Sequence, residues 1–573
     1  MKRELLNFIR TNNLGPFNKT KTLVKVKENA YRTKDAKLIH NKLLALLSKE
    51  FNFADTTNLF NYFEFTEDER EIKSRQDFFG EIKSEIDNSF IKNLGLPKKC
   101  WNPKYGIIVV TEDEKTFNEL QKLSCPTKFL IGQDDLDLLD NYDIVQVIEC
   151  ENFSRALENL PQSVFLDSVD EAYLERYVIL LSSWKNNIDV LKNNATNEEI
   201  KKLVDEIDEL MILLDDGKGN VLKRENIETA LEGINHEISQ EIKKLTVSGE
   251  SLFSMLSKSK MPDELNKIIQ KAISNSGLAG NIFVKNIPVS LDEEELNSLI
   301  KKQNAQEHTE IAEKIKKRAD KLIKLPDKLQ ELSDQLILFD FISGLSKLIS
   351  RANSFPMQSN EFRMKDSLNL FLDKAQAISF YLDEKDRCSI LTGANSGGKT
   401  TLIEHIVQLN SLMQLGLPVS GNISIPLFSE IYYFAKNKGS MNKGAFETLL
   451  MQMSGIKPGK RTLILADEIE SVTEPGVAGT IVCATADYFI KQGCFLVIAT
   501  HLGKEIQKSL PIGARVDGIE AKGLDEKFEL IVDHNPILGR LANSTPELII
   551  EKMANSHKTD YFVHLYDFLK KGK

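Results

Sequence analysis

At 573 residues, 41% of them apolar and 28% charged, the chain is too long for a single hydrophobic core and has an ordinary globular composition. Its formal net charge of −10 excludes an overall pull toward nucleic acid, so any contact with a phosphate backbone has to come from a local patch. Six cysteines without C-x-x-C spacing, the lack of an H-E-x-x-H run and of any apolar stretch of about 18–20 residues argue against a zinc site, a disulfide framework and a membrane helix.

Taken in order, the first stretch, MKRELLNFIRTNN, is amphipathic and interrupted by Glu4, which reads as a surface helix and not as a signal peptide. The cysteine usage fits a reducing, cytoplasmic setting. Residues 1–99 read as mostly helical, with a helix-forming stretch over 59–82 and a turn near Thr66-Glu67-Asp68. From Trp101 the period changes. Short apolar runs at 106–110, 128–131, 144–148 and 163–166 alternate with helical or turn segments, which predicts a small α/β insert around a parallel sheet over residues 100–170.

Residues 171–350 read as helical. Thr196-Asn197-Glu198-Glu199 fits a capping box, and Ile200, Leu203, Ile207, Leu210 and Leu214 recur at the spacing of one helix face. A second seam runs through Ile311, Ile315, Ala319, Leu322, Leu325, Leu329, Leu332 and Leu336, with Pro326 expected to kink or break it. Between the two lies a compact tip at 277–290. Lys314, Lys316, Lys317, Arg318, Lys321, Lys324 and Lys328 form the densest basic cluster. That cluster reads as a solvated face, with a salt-sensitive contact to a phosphate backbone as the functional alternative.

The run CSILTGANSGGKTT, from Cys388 to Thr401, reads as a strand, a glycine-rich turn and the start of a helix with Leu402, Ile403 and Ile406 on one side. Gly393, Gly398, Lys399 and Thr400 fit G-x-x-x-x-G-K-[ST], a Walker A loop. Across Gly393, Ala394, Asn395, Ser396, Gly397, Gly398, Lys399, Thr400 and Thr401, backbone N–H groups would wrap nucleotide phosphates at a helix N-terminus. Lys399 would reach the β- and γ-phosphates, and the Thr400 hydroxyl would join a Mg²⁺ shell. ATP and Mg²⁺ are therefore the expected cofactors. Downstream, TLILADE at 462–468 predicts a buried strand that ends in two carboxylates, a Walker B strand. Asp467 is expected to hold Mg²⁺ and Glu468 to polarise the water attacking the γ-phosphate. A third strand, FLVIATH at 495–501, ends in His501, which is placed either to sense the γ-phosphate or to pack at a helix N-terminus under a loop.

Lys399 and Asp467 are 68 residues apart, and between them stand MQLGLPVSG at 413–421 and GAFETLL at 444–450; ESVTEPGVAG and IATHL follow the Asp-Glu pair. Together these resemble the ATPase domain of the MutS family, a branch of the ABC ATPase class, over about residues 355–553. TGANSGGKTT, GAFET and TEPG resemble the shorter archaeal MutS-related proteins more than the bacterial mismatch-repair enzymes.

The resemblance implies a multidomain α and α/β protein. Its P-loop ATPase with C-terminal dimerisation helices would occupy 351–573. A helical core, lever and coiled-coil clamp would occupy 171–350, a connector-like α/β insert 100–170 and the first part of the core 1–99. It implies a homodimer, with each ATP sandwiched between one subunit's loop and the other's signature segment, whose arms close on duplex or branched DNA in repair or recombination. No membrane partner is expected. Gly444 stands where the mismatch-repair branch has a serine and would offer a backbone N–H in trans. Residues 470–476 replace that branch's Gly-Arg-Gly-Thr run. Phe65-Thr66-Glu67 matches the Phe-x-Glu wedge of mismatch-repair MutS without its surrounding domain, so a short form that begins past the mismatch-reading domain is expected. Two alternatives stay open: a MutS-related ATPase acting on stalled ribosomes or structured RNA, and a structural coiled-coil ATPase, for which a Leu-Ser-Gly-Gly signature is lacking.

Overall fold

The computed structural model of the protein describes residues 1–18, 29–82, 86–97, 106–123, 126–214, 224–244, 261–352, 354–393, 398–436, 443–468, 475–524, 530–542, 546–557 and 559–571. The chain divides into two compact units, Leu94–Leu332 on the one hand and Met1–Asn93 with Ser333–Lys573 on the other.

In the unit Leu94–Leu332, the run Ile-Ile-Val-Val-Thr is buried at every position of β1 (Ile107–Thr111). An uninterrupted β-branched run suits a strand covered on both faces. With β2 (Thr127–Phe129), β3 (Ile144–Val147) and β4 (Ser163–Phe165) it forms the expected parallel sheet, in the order β2-β1-β3-β4. Alternate side chains go to opposite faces. Ile107, Val109 and Ile144 pack with Leu120 and Tyr173, whereas Ile108, Val110 and Val145 pack with Leu139 and Leu157.

Helices Arg224–Ile242, Asp263–Asn275 and Glu293–Lys316 bury Ile234, Ile269, Ile273 and Leu296 against the hairpin of β5 (Phe283–Val284) and β6 (Ser290–Leu291). The tip thus has a small core of its own. Helix Glu198–Asp208 is capped one residue later than the capping box suggests. Asn197, not Thr196, accepts from the N–H groups of Glu199 and Ile200 at 2.9 and 3.1 Å, the second and third helical donors that a cap side chain can reach. Pro326 does not kink a helix; it falls in the first turn of Leu325–Arg351, where its missing N–H leaves no bond unmade. The second seam does break, as expected, at Lys324 just ahead of that proline, and it breaks also between Lys316 and Ala319.

Within the basic cluster, Lys316 lies 3.8 Å from both Asp167 and Glu171, Lys321 pairs with Glu209, and Lys328 pairs with Glu206 at 2.7 Å. These three lysines thus stand in an ion-paired surface.

The other unit contains β7 (Met357–Gln358), β8 (Phe362–Ser367), β9 (Ile378–Leu382), β10 (Cys388–Gly393), β11 (Asn422–Ile425), β12 (Glu430–Phe434), β13 (Thr462–Asp467), β14 (Phe495–Ala499), β15 (Ala514–Leu524) and β16 (Leu530–Ile537). Six form one sheet, β12-β13-β14-β10-β15-β16, parallel apart from β16; β7-β11-β8-β9 form a second.

Helix Lys399–Leu415 leaves β10. Its apolar side was expected through Leu402, Ile403 and Ile406, but His405, Gln408, Asn410 and Ser411 are buried as well. The N-terminal segments cover its far side: Tyr31 and His40 reach Ser411 Oγ at 2.6 and 3.1 Å, and Arg75 donates to the Gln414 carbonyl. A helix covered all round does not need an apolar stripe, provided its polar groups find partners.

The first helix, Lys2–Thr11, is likewise more than a surface element, because Leu5 and Ile9 are fully buried. Phe51, Phe60, Phe63 and Phe79 gather on Phe341. The Phe65-Thr66-Glu67 stretch is held inside this unit, with the Thr66 N–H on Gln414 Oε1 at 3.2 Å and Glu67 paired with Arg461. Helices Pro546–His557 and Asp560–Lys571 meet through Tyr566 OH and Glu551 at 3.2 Å and leave Tyr561 and Phe568 exposed. Cys150, Cys388, Cys483 and Cys494 are buried free thiols. Among the described residues no helix is long and apolar enough to cross a membrane.

Candidate nucleotide site

Parallel pairing brings the carboxyl ends of four strands together. Leu391 of β10 and Asp467 of β13 both pair with Ala499 of β14, and Ala466 pairs with Phe434 of β12. In an open parallel sheet that edge is where ligands collect.

β10 ends at Gly393, whose φ is +133° and where a Cβ would stand 2.3 Å from the Ile519 carbonyl oxygen. Glycine alone lets the chain leave the strand on that path. Gly398 has φ +92° and lies so close to His534 that a Cβ would approach its Nδ1 to 2.8 Å. Ala394, Asn395, Ser396 and Gly397, expected in the phosphate loop, lie outside the described residues. Lys399 opens the helix with its side chain buried, and its Nζ donates to the Gly393 carbonyl at 2.6 Å. The cation therefore spans the loop from one glycine end to the other. Thr400 donates its hydroxyl to Asp467 Oδ2 at 2.5 Å, and the Thr401 carbonyl accepts from Asn369 Nδ2 at 3.3 Å. Below them, buried Asp517 accepts from Ser389 Oγ at 2.6 Å, Arg515 Nε at 3.0 Å and the Gly539 N–H at 2.9 Å, which ties β10, β15 and the turn after β16 together.

Asp467 is 2% exposed, and its Oδ1 has no hydrogen-bond partner among the described residues. Burial pushes its carboxyl above the ordinary value, against the opposing pull of the Thr400 bond. A buried carboxylate oxygen with no donor is costly unless a cation supplies the missing interaction. One carboxylate beside one hydroxyl suits Mg²⁺, which takes its remaining positions from water and phosphate oxygens instead of from a protein cage. No cluster of three or more His, Cys, Asp or Glu side chains suited to a metal occurs among the described residues.

Glu468 follows the strand in a left-handed conformation, φ +50°, with its N–H on the Ala499 carbonyl at 2.9 Å. This turn directs the side chain across the sheet edge. Oε1 meets His501 Nε2 at 2.8 Å, and Oε2 is paired with Lys436 Nζ. Burial would raise this carboxyl, but the bonds from Lys436 and His501 outweigh it and hold Glu468 below the usual range. Gly444 lies in the first turn of helix Lys443–Ser454.

Two neighbours of the site were not foreseen. Lys436 lies two residues beyond β12 and His534 lies within β16, and no motif spacing links either to Gly398 or Glu468. They arrive because β12 borders β13 and because β16 reaches the loop through β15.

No family model matches the chain. It is 28% identical to the DNA-binding protein MutS2 of Pyrococcus furiosus, over 94% of this chain and 99% of that protein. Shorter likenesses join it to the Endonuclease MutS2 of Solidesulfovibrio magneticus, 31% identical over 22% of this chain, and to the DNA mismatch repair protein MutS of Thermotoga maritima, 28% identical over 23% of this chain. The chain matches 18% and 17% of those two proteins, so these likenesses are confined to one part of each.

Proposed function

We propose, starting from this chain's membership of the MutS family, that it is a homodimeric ATP hydrolase whose nucleotide state controls a helical grip on DNA. The observation that carries the ATPase reading is the Thr400 hydroxyl on Asp467 Oδ2, with the other carboxylate oxygen buried and without a donor. Residues 393–401 would cradle the phosphates, Lys399 would move from the Gly393 carbonyl to the β- and γ-phosphate oxygens, and Thr400 with Asp467 would hold Mg²⁺. When bound, Mg²⁺ supplies neutralisation of phosphate charge. Glu468 would polarise the attacking water, His501 would orient Glu468, and the Gly444 N–H would face the partner subunit's nucleotide.

Control follows if ATP binds one subunit arrangement more tightly than the other, since a ligand shifts an equilibrium by its differential affinity alone. DNA enters the proposal through the full-length likeness to a protein named as DNA-binding. The test is the hydrolysis rate of the full chain and of Lys399→Ala with no polymer, linear duplex, four-way junction, mismatched duplex and ribosomes. Lys399-dependent hydrolysis stimulated by a DNA form supports the proposal; stimulation by ribosomes alone replaces DNA with a translational substrate, and hydrolysis that survives Lys399→Ala rejects the site.

A further inference from the structure

A carboxylate that polarises a water needs an oxygen available to accept from it. In this protein each oxygen of Glu468 already holds one partner, His501 at 2.8 Å on one and Lys436 on the other, and an ammonium paired to a carboxylate draws negative charge from the lone pairs that remain. The two partners are held differently. His501 follows β14, a strand paired on both sides, whereas Lys436 lies just past β12, the terminal strand of the six. Its side chain is 45% exposed, against 10% for the carboxylate it pairs with. A flexible ammonium thus reaches in from solvent to a shielded anion, and its four-carbon stem lets it withdraw without disturbing the sheet.

Lys399 is bonded back to the loop, Asp467 to Thr400, and the Asp35 carboxylate accepts from the Ala435 N–H at 3.1 Å, so the ammonium pairs with Glu468 although Asp467 also attracts it. A γ-phosphate would compete more strongly, because it brings several anionic oxygens to the same strand ends.

Resting on the ATPase reading, we infer that Lys436 is a positioning residue that restrains Glu468: hydrolysis proceeds from those sites in which the ammonium has left the carboxylate, and the γ-phosphate is the anion that competes it away. In the reaction the water oxygen bonds to the γ-phosphorus, the bond to the bridging oxygen breaks with its electron pair on ADP, and the water proton passes to a phosphate oxygen. Lys436 neither gains nor loses a proton. Its role is to set the fraction of sites with a competent Glu468.

The test is steady-state hydrolysis by the full chain without polymer, for the parent, Lys436→Met, Lys436→Arg and Lys399→Ala, with thermal unfolding of each. Lys436→Met should raise kcat by at least about threefold, with a smaller change in KM, while Lys436→Arg stays at the parental rate. The unfolding midpoint should not follow kcat. If the parent shows Lys399-dependent hydrolysis and Lys436→Met leaves kcat unchanged or lower, the restraint is refuted and the ATPase reading survives. If the parent shows no Lys399-dependent hydrolysis, both fall together.

Discussion

Arg10 donates through Nε to Asp334 Oδ2 at 2.7 Å, so the first helix of the chain is bonded to a carboxylate 324 residues away. The carboxylate is 1% exposed and the guanidinium 56% exposed. Replacing Arg10 with Met removes a charged donor from a buried anion, and the solvent around the guanidinium tempers the loss. The expected destabilisation is roughly 2 kcal/mol. A lower urea midpoint with an unchanged slope would bear this out; an unchanged midpoint would show that the pair contributes nothing.

Thr400→Val and Asp467→Asn should each abolish Mg²⁺-dependent hydrolysis, by at least about 100-fold, whereas Thr400→Ser should retain most of it. Removing Mg²⁺ with a chelator should bring the parent to the level of Asp467→Asn. The measurement is a Mg²⁺ titration of hydrolysis, and a Thr400→Val protein with the parental titration curve would separate this hydroxyl from the metal.

Acid should destabilise the protein through two desolvated imidazoles, His405 buried and His40 half-buried. Burial holds His40 and His405 to pKa values of about 4, below the ordinary 6.5. The unfolded chain then binds the proton first. Stability is complete above about pH 6.5, and it is lost progressively as the pH falls toward 4, by about 2 kcal/mol per histidine near pH 5. Urea midpoints near neutrality and near pH 5 measure the loss, and His40→Gln should flatten the dependence by its own share. Parallel pH curves for parent and variant would assign the acid sensitivity to other groups.

DNA binding should be indifferent to the three ion-paired lysines. A phosphate contact changes the slope of log affinity against log salt by about 1, so Lys316→Gln, Lys321→Gln and Lys328→Gln should each leave that slope within about 0.5 of the parent. A drop of about 1 for any of them would return that lysine to the nucleic-acid surface.

Some of this protein is written locally. The strands of the small parallel sheet are visible in the sequence because a buried strand needs a short run of β-branched residues between turns, a signal confined to a few neighbours. The loop from Gly393 to Thr400 is visible for a related reason: a backbone path with positive φ at Gly393 and Gly398 requires glycine there whatever surrounds it. Asp467 and Glu468 follow from one strand and its end.

Other features depend on which strands become neighbours, and no local period encodes that. Lys436 meets Glu468 because β12 is laid beside β13, and His534 meets Gly398 because β15 and β16 continue the sheet past β10. Ser411 looks like an exposed position of a helix until the N-terminal segments cover it, and His405 until β8 brings Ser367 to its Nε2. Taken alone, then, the sequence determined the elements and the glycine positions of the turn after β10, whose requirements are met within a single turn of chain. The tertiary structure decided which charges confront each other at that chemistry, because the energy of an ion pair depends on a distance in space that sequence separation does not specify.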